Sequence, residues 1–248
     1  MISLSLPLSL ALALALADDP PLSAEKRAEL AKDLDAAIER HSAALQANPR
    51  SLEAYSQRGD AYFKRGHFAQ AADDFEKMVE LDPTLAAGHW RRGIALFYAG
   101  RYEKAARQFE IYHTQDDVDR ENGIWRYFSQ YKAFGKEKAQ AGLLKYQKDD
   151  REPFPAVYQL FEGKLTPEQV LSKIEEAKLS AEEKEQRLFY AHLYIGISHA
   201  VEGRPREAEL FLRKAVRNTW APGSGYGPDW MWHVGRVHYD LIHDAKKD

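Results

Sequence analysis

The sequence predicts an all-α fold, a right-handed solenoid of antiparallel helix pairs with capping helices at its N- and C-terminal ends. Three observations predict it. The same small, aromatic and glycine positions return with a period of 34 residues, the apolar residues inside a unit share helical faces, and a glycine sits mid-unit where one helix must turn into the next.

The clearest unit is residues 51–83, SLEAYSQRGDAYFKRGHFAQAADDFEKMVELDP. With Leu52 as the first position, Tyr55 falls at 4, Gly59 at 8, Tyr62 at 11, Gly66 at 15, Ala71 at 20, Phe75 at 24 and Pro83 at 32. Tyr55, Gly59 and Tyr62 lie on one helical face, Gly66 stops that helix, and the small Ala71 admits close packing of a second helix that ends at Pro83. This spacing resembles the tetratricopeptide repeat.

Taken in order, residues 1–17 are uncharged and apolar apart from three serines, and Ala15-Leu16-Ala17 has the small-x-small form that precedes signal-peptidase cleavage. They predict a signal peptide cleaved after Ala17 and an exported protein. The run is shorter than a permanent spanning helix needs, and it lacks the usual Lys or Arg, for which a mis-assigned start codon is one explanation. Residues 18–50 form an N-terminal capping unit, with Ser23 as N-cap of a helix stopping near Asn48-Pro49. Residues 51–119 hold two repeats, the second starting at Ala86 with Gly93, Leu96, Gly100, Ala105 and Phe109 in phase.

Residues 120–188 form two divergent helix pairs. The first starts at Glu121 and turns at Gly135 between GIWRYFSQYKAF and KEKAQAGLLKYQ, both expected to be helical. In the second, Pro153 and Pro155 leave only the short helix AVYQLFEG, followed by capping boxes at Thr166 to Gln169 and at Ser180 to Glu183. Residues 189–222 return to phase, with Gly196, Gly203, Ala208 and Leu212 in register. The unit starts Leu52, Ala86, Glu121, Pro155 and Phe189 are 34, 35, 34 and 34 residues apart, so the divergent middle belongs to the same array. Residues 223–248 supply the end of a loop and a closing helix whose stripe of Trp230, Met231, Val234, Val237, Leu241 and Ile242 is expected against the last repeat, with a polar outer face.

Composition narrows function. The net charge of -3 and pI near 6.3 give no basic face for nucleic acid. The chain has no cysteine, which removes disulfides, thiol chemistry and the lipid anchor of a bacterial lipoprotein. His233, His238 and His243 are five residues apart, so each turns about 140° from the last and the three do not converge on a metal. His192 and His199 fall on packing positions. The acidic runs Asp73-Asp74, Asp116-Asp117-Asp119 and Glu175-Glu176 read as solvated helix faces, and no catalytic constellation or cofactor motif is present.

The inner face of such a solenoid is the expected binding surface. Its inward positions carry Trp90, Arg91, Ile94, Phe97 and Tyr98 in one repeat and Tyr190, Leu193, Tyr194 and Ile197 in another, a surface rich in the residue types that dominate interfaces. The alternative is that these aromatics are buried by the irregular middle units or by a homodimer contact. Glu53, Ser56 and Asp60 occupy inward positions of the first repeat, where repeats that clamp a C-terminal carboxylate carry Lys and Asn, so that mode is not expected.

Three stretches, IWRYFSQYKAFGKEKAQAGLL from Ile124, FPAVYQLFEGKLTPEQVLSKI from Phe154 and LFYAHLYIGISHAVEGRPREAELFLRKAV from Leu188, resemble the NlpI-type periplasmic repeat proteins of Gram-negative bacteria. The resemblance implies a non-catalytic homodimeric adaptor that docks peptidoglycan hydrolases and a processing protease. That family is lipid-anchored, and this chain has no cysteine for it. The sequence therefore points to an exported adaptor for proteins or peptides, or else to a self-associating structural subunit.

Overall fold

The computed structural model describes residues 20–148 and 150–245. The expected signal peptide and its cleavage site lie outside them. The described residues contain twelve α-helices, two short 3-10 turns and no strand, and the helices pack mainly against their neighbours in the chain. None of these helices is long and apolar enough to cross a membrane.

Helix α1 (Ala24–Ala47) is capped by Ser23, whose side chain accepts from the Lys26 amide. The first complete pair is α2 (Leu52–Arg65) and α3 (Phe68–Leu81), joined at Gly66 with φ 87°, a left-handed turn that disfavours any side chain. The second is α4 (Trp90–Tyr98) and α5 (Tyr102–His113). Here α4 starts four residues after the unit start at Ala86, because Pro83–Leu85 form a 3-10 turn.

The repeat pattern has a direct packing cause. A Cβ on Gly93 would lie 2.5 Å from the ring of Phe109, and one on Gly59 would lie 2.6 Å from the ring of Phe75. The glycine at position 8 makes room for the aromatic ring at position 24, which is fully buried in both pairs.

The middle is less regular than expected. Helix α6 (Arg120–Phe134) is followed by α7, which covers only Lys136–Ala141. The expected continuation to residue 147 fails: Gly142 ends α7, and the described residues between it and Phe154 form no helix. Then come α8 (Phe154–Phe161) and α9 (Pro167–Glu176), and Thr166 forms the capping box that starts α9. Helix α10 (Ala181–Val201) starts on the Ser180 capping box and pairs with α11 (Pro205–Arg217).

The largest departure is α12 (Tyr226–Asp244), which starts earlier than expected and is no simple cap. It packs on α11, but it also reaches α10 and returns to α2. Trp230 is fully buried and stacks on Phe63 with ring centroids 4.4 Å apart. Polar residues expected on an outer face are buried or half-buried too. His238 meets the Tyr98 hydroxyl at 2.7 Å, Asp229 pairs with Lys64 at 2.9 Å, and Arg236 donates to the Lys64 backbone carbonyl at the C-terminal end of α2. Burial pushes His238 down to about 4, so the imidazole is neutral at pH 7. Leu241, assigned to the apolar stripe, is instead 48% exposed.

The position of α12 predicts an asymmetry along its length. Trp230→Ala removes a core side chain and should lower unfolding free energy by about 3–5 kcal/mol, whereas Leu241→Ala should change it by less than about 0.5 kcal/mol. Urea unfolding of the two variants checks this, and equal small effects would mean that α12 is a peripheral cap.

Candidate functional site

The inner face is largely filled by the chain itself. Ile94, Phe97, Tyr190, Leu193, Tyr194 and Ile197 are all buried, so they do not form the open contact face expected of them. Phe97 packs edge-on against Trp125, and Tyr194 receives a hydrogen bond from the Trp125 indole at 3.1 Å. Arg91 is engaged within the chain: its guanidinium donates to Asp60 at 2.7 Å and to Ser56 at 3.1 Å. Tyr98 is committed to His238. The physical reason is that the chain supplies its own partners: α6 brings Trp125 to Phe97 and Tyr194, α2 brings Asp60 and Ser56 to Arg91, and α12 brings His238 to Tyr98.

Asp60 shows this most directly. Its carboxylate accepts from Arg91, from the Trp230 indole at 3.0 Å and from the Tyr226 hydroxyl at 2.5 Å.

What stays open is a cleft of about 450 Å³ between α4, α6, α10 and the start of α12. From α4 come Trp90 and Ile94, from α5 Phe109 and Tyr112, and from α6 Trp125. The lining is completed by Tyr190 of α10, Trp220 of the loop after α11 and Met231 of α12. Trp90, Ile94 and Tyr190 thus border the cleft, whereas Arg91, Phe97, Tyr98, Leu193, Tyr194 and Ile197 do not line it.

One end of the cleft is charged. Asp119 is the N-cap of α6 and accepts from the Glu121 amide at 2.9 Å and from the Asn122 side chain at 2.7 Å. Asp150 accepts from the Arg120 amide at 2.9 Å. These carboxylates complement the N-terminal end of the helix. Arg151 faces them, 2.5 Å from Glu121, 3.6 Å from Asp119 and 3.4 Å from Asp150. Glu121 also accepts from the Tyr194 hydroxyl.

Burial pushes Glu121 up to about 7; Arg151 pulls it down and Asp119 adds to the rise. Burial also raises Asp119, again opposed by Arg151. For Arg151 itself burial works against the charge, but the three carboxylates outweigh it and hold the guanidinium protonated. The expectation that the acidic runs are merely solvated therefore fails for Asp119. It also fails for Asp74, which is buried and paired with Arg58 at 2.7 Å. Among the described residues no group of three or more His, Asp or Glu is arranged to hold a metal ion.

Sequence reasoning missed Asp119, Glu121, Arg151, Trp220 and the role of Met231. The one available signal was Asp119 directly ahead of a helix that opens with Glu121 and Asn122, an N-cap pattern.

Residues 52–85 match the tetratricopeptide repeat family. They coincide with α2, α3 and the turn that follows. A rice protein, the SGT1 homolog, is 34% identical over 71 residues, which is 29% of this chain and 19% of that protein. The Hsp70-Hsp90 organizing protein 3 of Arabidopsis thaliana and the Hsp70-Hsp90 organizing protein of wheat are each 39% identical over 57 residues, 23% of this chain and 10% of theirs. The chain thus spans a fifth or less of the curated relatives it matches, and the similarity rests on the repeat.

The raised Glu121 predicts a pH signature. Its folded pKa lies above the unfolded value near 4.3, so its contribution to stability is lost as pH rises from about 4.5 through about 7. Relative to Glu121→Gln, the wild type should be more stable at pH 5 than at pH 8, as read from urea midpoints of both proteins. A gap that does not change with pH would show that Glu121 ionises as freely as in water.

Proposed function

We propose that this protein is an exported scaffold that binds other proteins, gripping a segment of its partner in the cleft between α4, α10 and α12. The cleft carries the reading: it is where the half-buried Trp90 and Trp220 border a cavity, with the edge of the buried Tyr190 beside them. Large aromatic surfaces around a concavity are the usual anchors of an interface. The repeat match over residues 52–85 supports a protein-binding scaffold, and the apolar residues 1–17 support export to the cell envelope. By resemblance to the NlpI-type proteins, envelope hydrolases and a processing protease are the clients, reached without a lipid anchor.

A photo-crosslinking side chain tests the surface. Placed at Ser224 in the cleft wall it should capture a discrete partner from an envelope extract, and placed at the exposed Leu210 it should not. Equal capture from both positions, or none from Ser224, would overturn the assignment. A product of twice the chain mass, matched by a dimer in light scattering, would favour the self-associating subunit instead.

Export makes a separate prediction. The envelope fraction should contain a chain whose first residue is Asp18; a full-length chain confined to the cytosol would remove the envelope role and leave the cleft untouched.

A further inference from the structure

The chemistry of the cleft selects its occupant, on the reading that the cleft binds a segment of a partner protein. We propose that the segment presents a basic side chain, the ammonium of Lys or the guanidinium of Arg, which inserts between the aromatic walls and approaches Glu121 and Asp119.

Charge complementarity carries this. Asp119, Glu121 and Asp150 face a single guanidinium, Arg151, so the charged end of the cleft keeps a surplus of negative charge. The other nearby cations are turned away from it: Arg120 lies over the Tyr146 ring at 4.9 Å, Arg187 is beside Glu152, and Arg91 is held by Asp60. An anionic segment would have to compete for Arg151 with three carboxylates. A purely apolar one would bury those carboxylates further without giving them a partner.

The rings give a second, independent indication. Arg151 already lies 4.3 Å over Phe154 and 5.9 Å from Tyr190, so this edge of the cleft holds one cation against aromatic faces. Trp90, Trp125 and Trp220 offer further faces along the same cavity. About 450 Å³ exceeds what one side chain fills, leaving space for the backbone that delivers it.

The test is titration of the isotopically labelled protein with acetylated, amidated tripeptides of alanine carrying a central Lys, Arg, norleucine or Glu, followed by the indole N–H resonances of Trp90 and Trp220. The Lys and Arg peptides should give saturable shifts, and the norleucine and Glu peptides should bind at least fivefold more weakly. Glu121→Gln and Asp119→Asn should each weaken the basic peptides at least threefold while leaving resonances remote from the cleft in place; the asparagine variant keeps a helix cap and so guards against loss of fold. Saturable binding of the Glu or norleucine peptide with equal strength, or no shift with the basic peptides up to about 20 mM, would overturn the proposal. Butylammonium binding as tightly as the Lys peptide would overturn the assignment to a partner polypeptide in favour of a free amine. The crosslink from Ser224 does not depend on charge, so it can succeed where this test fails.

Discussion

The carboxylate of Asp60 is the constraint on which the inner face depends. It is buried on α2, and it accepts from Arg91 of α4 and from Trp230 and Tyr226 of α12. A carboxylate in such surroundings is tolerable only while its oxygens are filled, and the buried Trp230 indole would in turn be stranded without it. The three helices are therefore locked to one another. Trp90 and Met231, which both line the cleft, are fixed in relation to each other by the same carboxylate.

The parts of the fold that were legible in the sequence are those encoded within one helix pair. Gly59 and Phe75, or Gly93 and Phe109, are 16 residues apart, and the geometry of two helices joined by a glycine turn brings them together without help from elsewhere. The capping boxes at Thr166 and Ser180 are shorter-ranged still. By contrast, Tyr98 meets His238 across 140 residues and Arg236 meets the Lys64 carbonyl across 172. No local pattern signals such pairs. Arg236 and His238 read as a solvated face because their residue types are usually found there, and they are buried because α2 and α4 offer them specific partners, the Lys64 carbonyl and the Tyr98 hydroxyl.

The candidate site was illegible for a related reason. Asp119 belongs to an acidic run that reads as a solvated helix face and Glu121 marks only the start of a unit, and they become part of a cavity because Arg151 arrives from the irregular segment before Phe154 and Tyr194 arrives from α10. The spacing picks out aromatic inner positions, but it does not distinguish a ring that meets another ring from one that meets solvent. That distinction is set by residues far along the chain, Trp220 of the loop after α11 and Met231 of α12, which border the cleft with Trp90 and Ile94.

The return of α12 to α2 also changes how the array must assemble. An open solenoid gains stability unit by unit, each added pair contacting only the one before it. Here the first repeat finishes its own interior with a side chain 170 positions downstream, the Trp230 indole on Asp60. The entropy of closing so long a loop falls on contacts that no nearest-neighbour growth can supply. Phe63 and Asp60 stay uncovered on a nascent chain until nearly all of it has been made, and the ends of the array then become one cooperative unit rather than two independent termini.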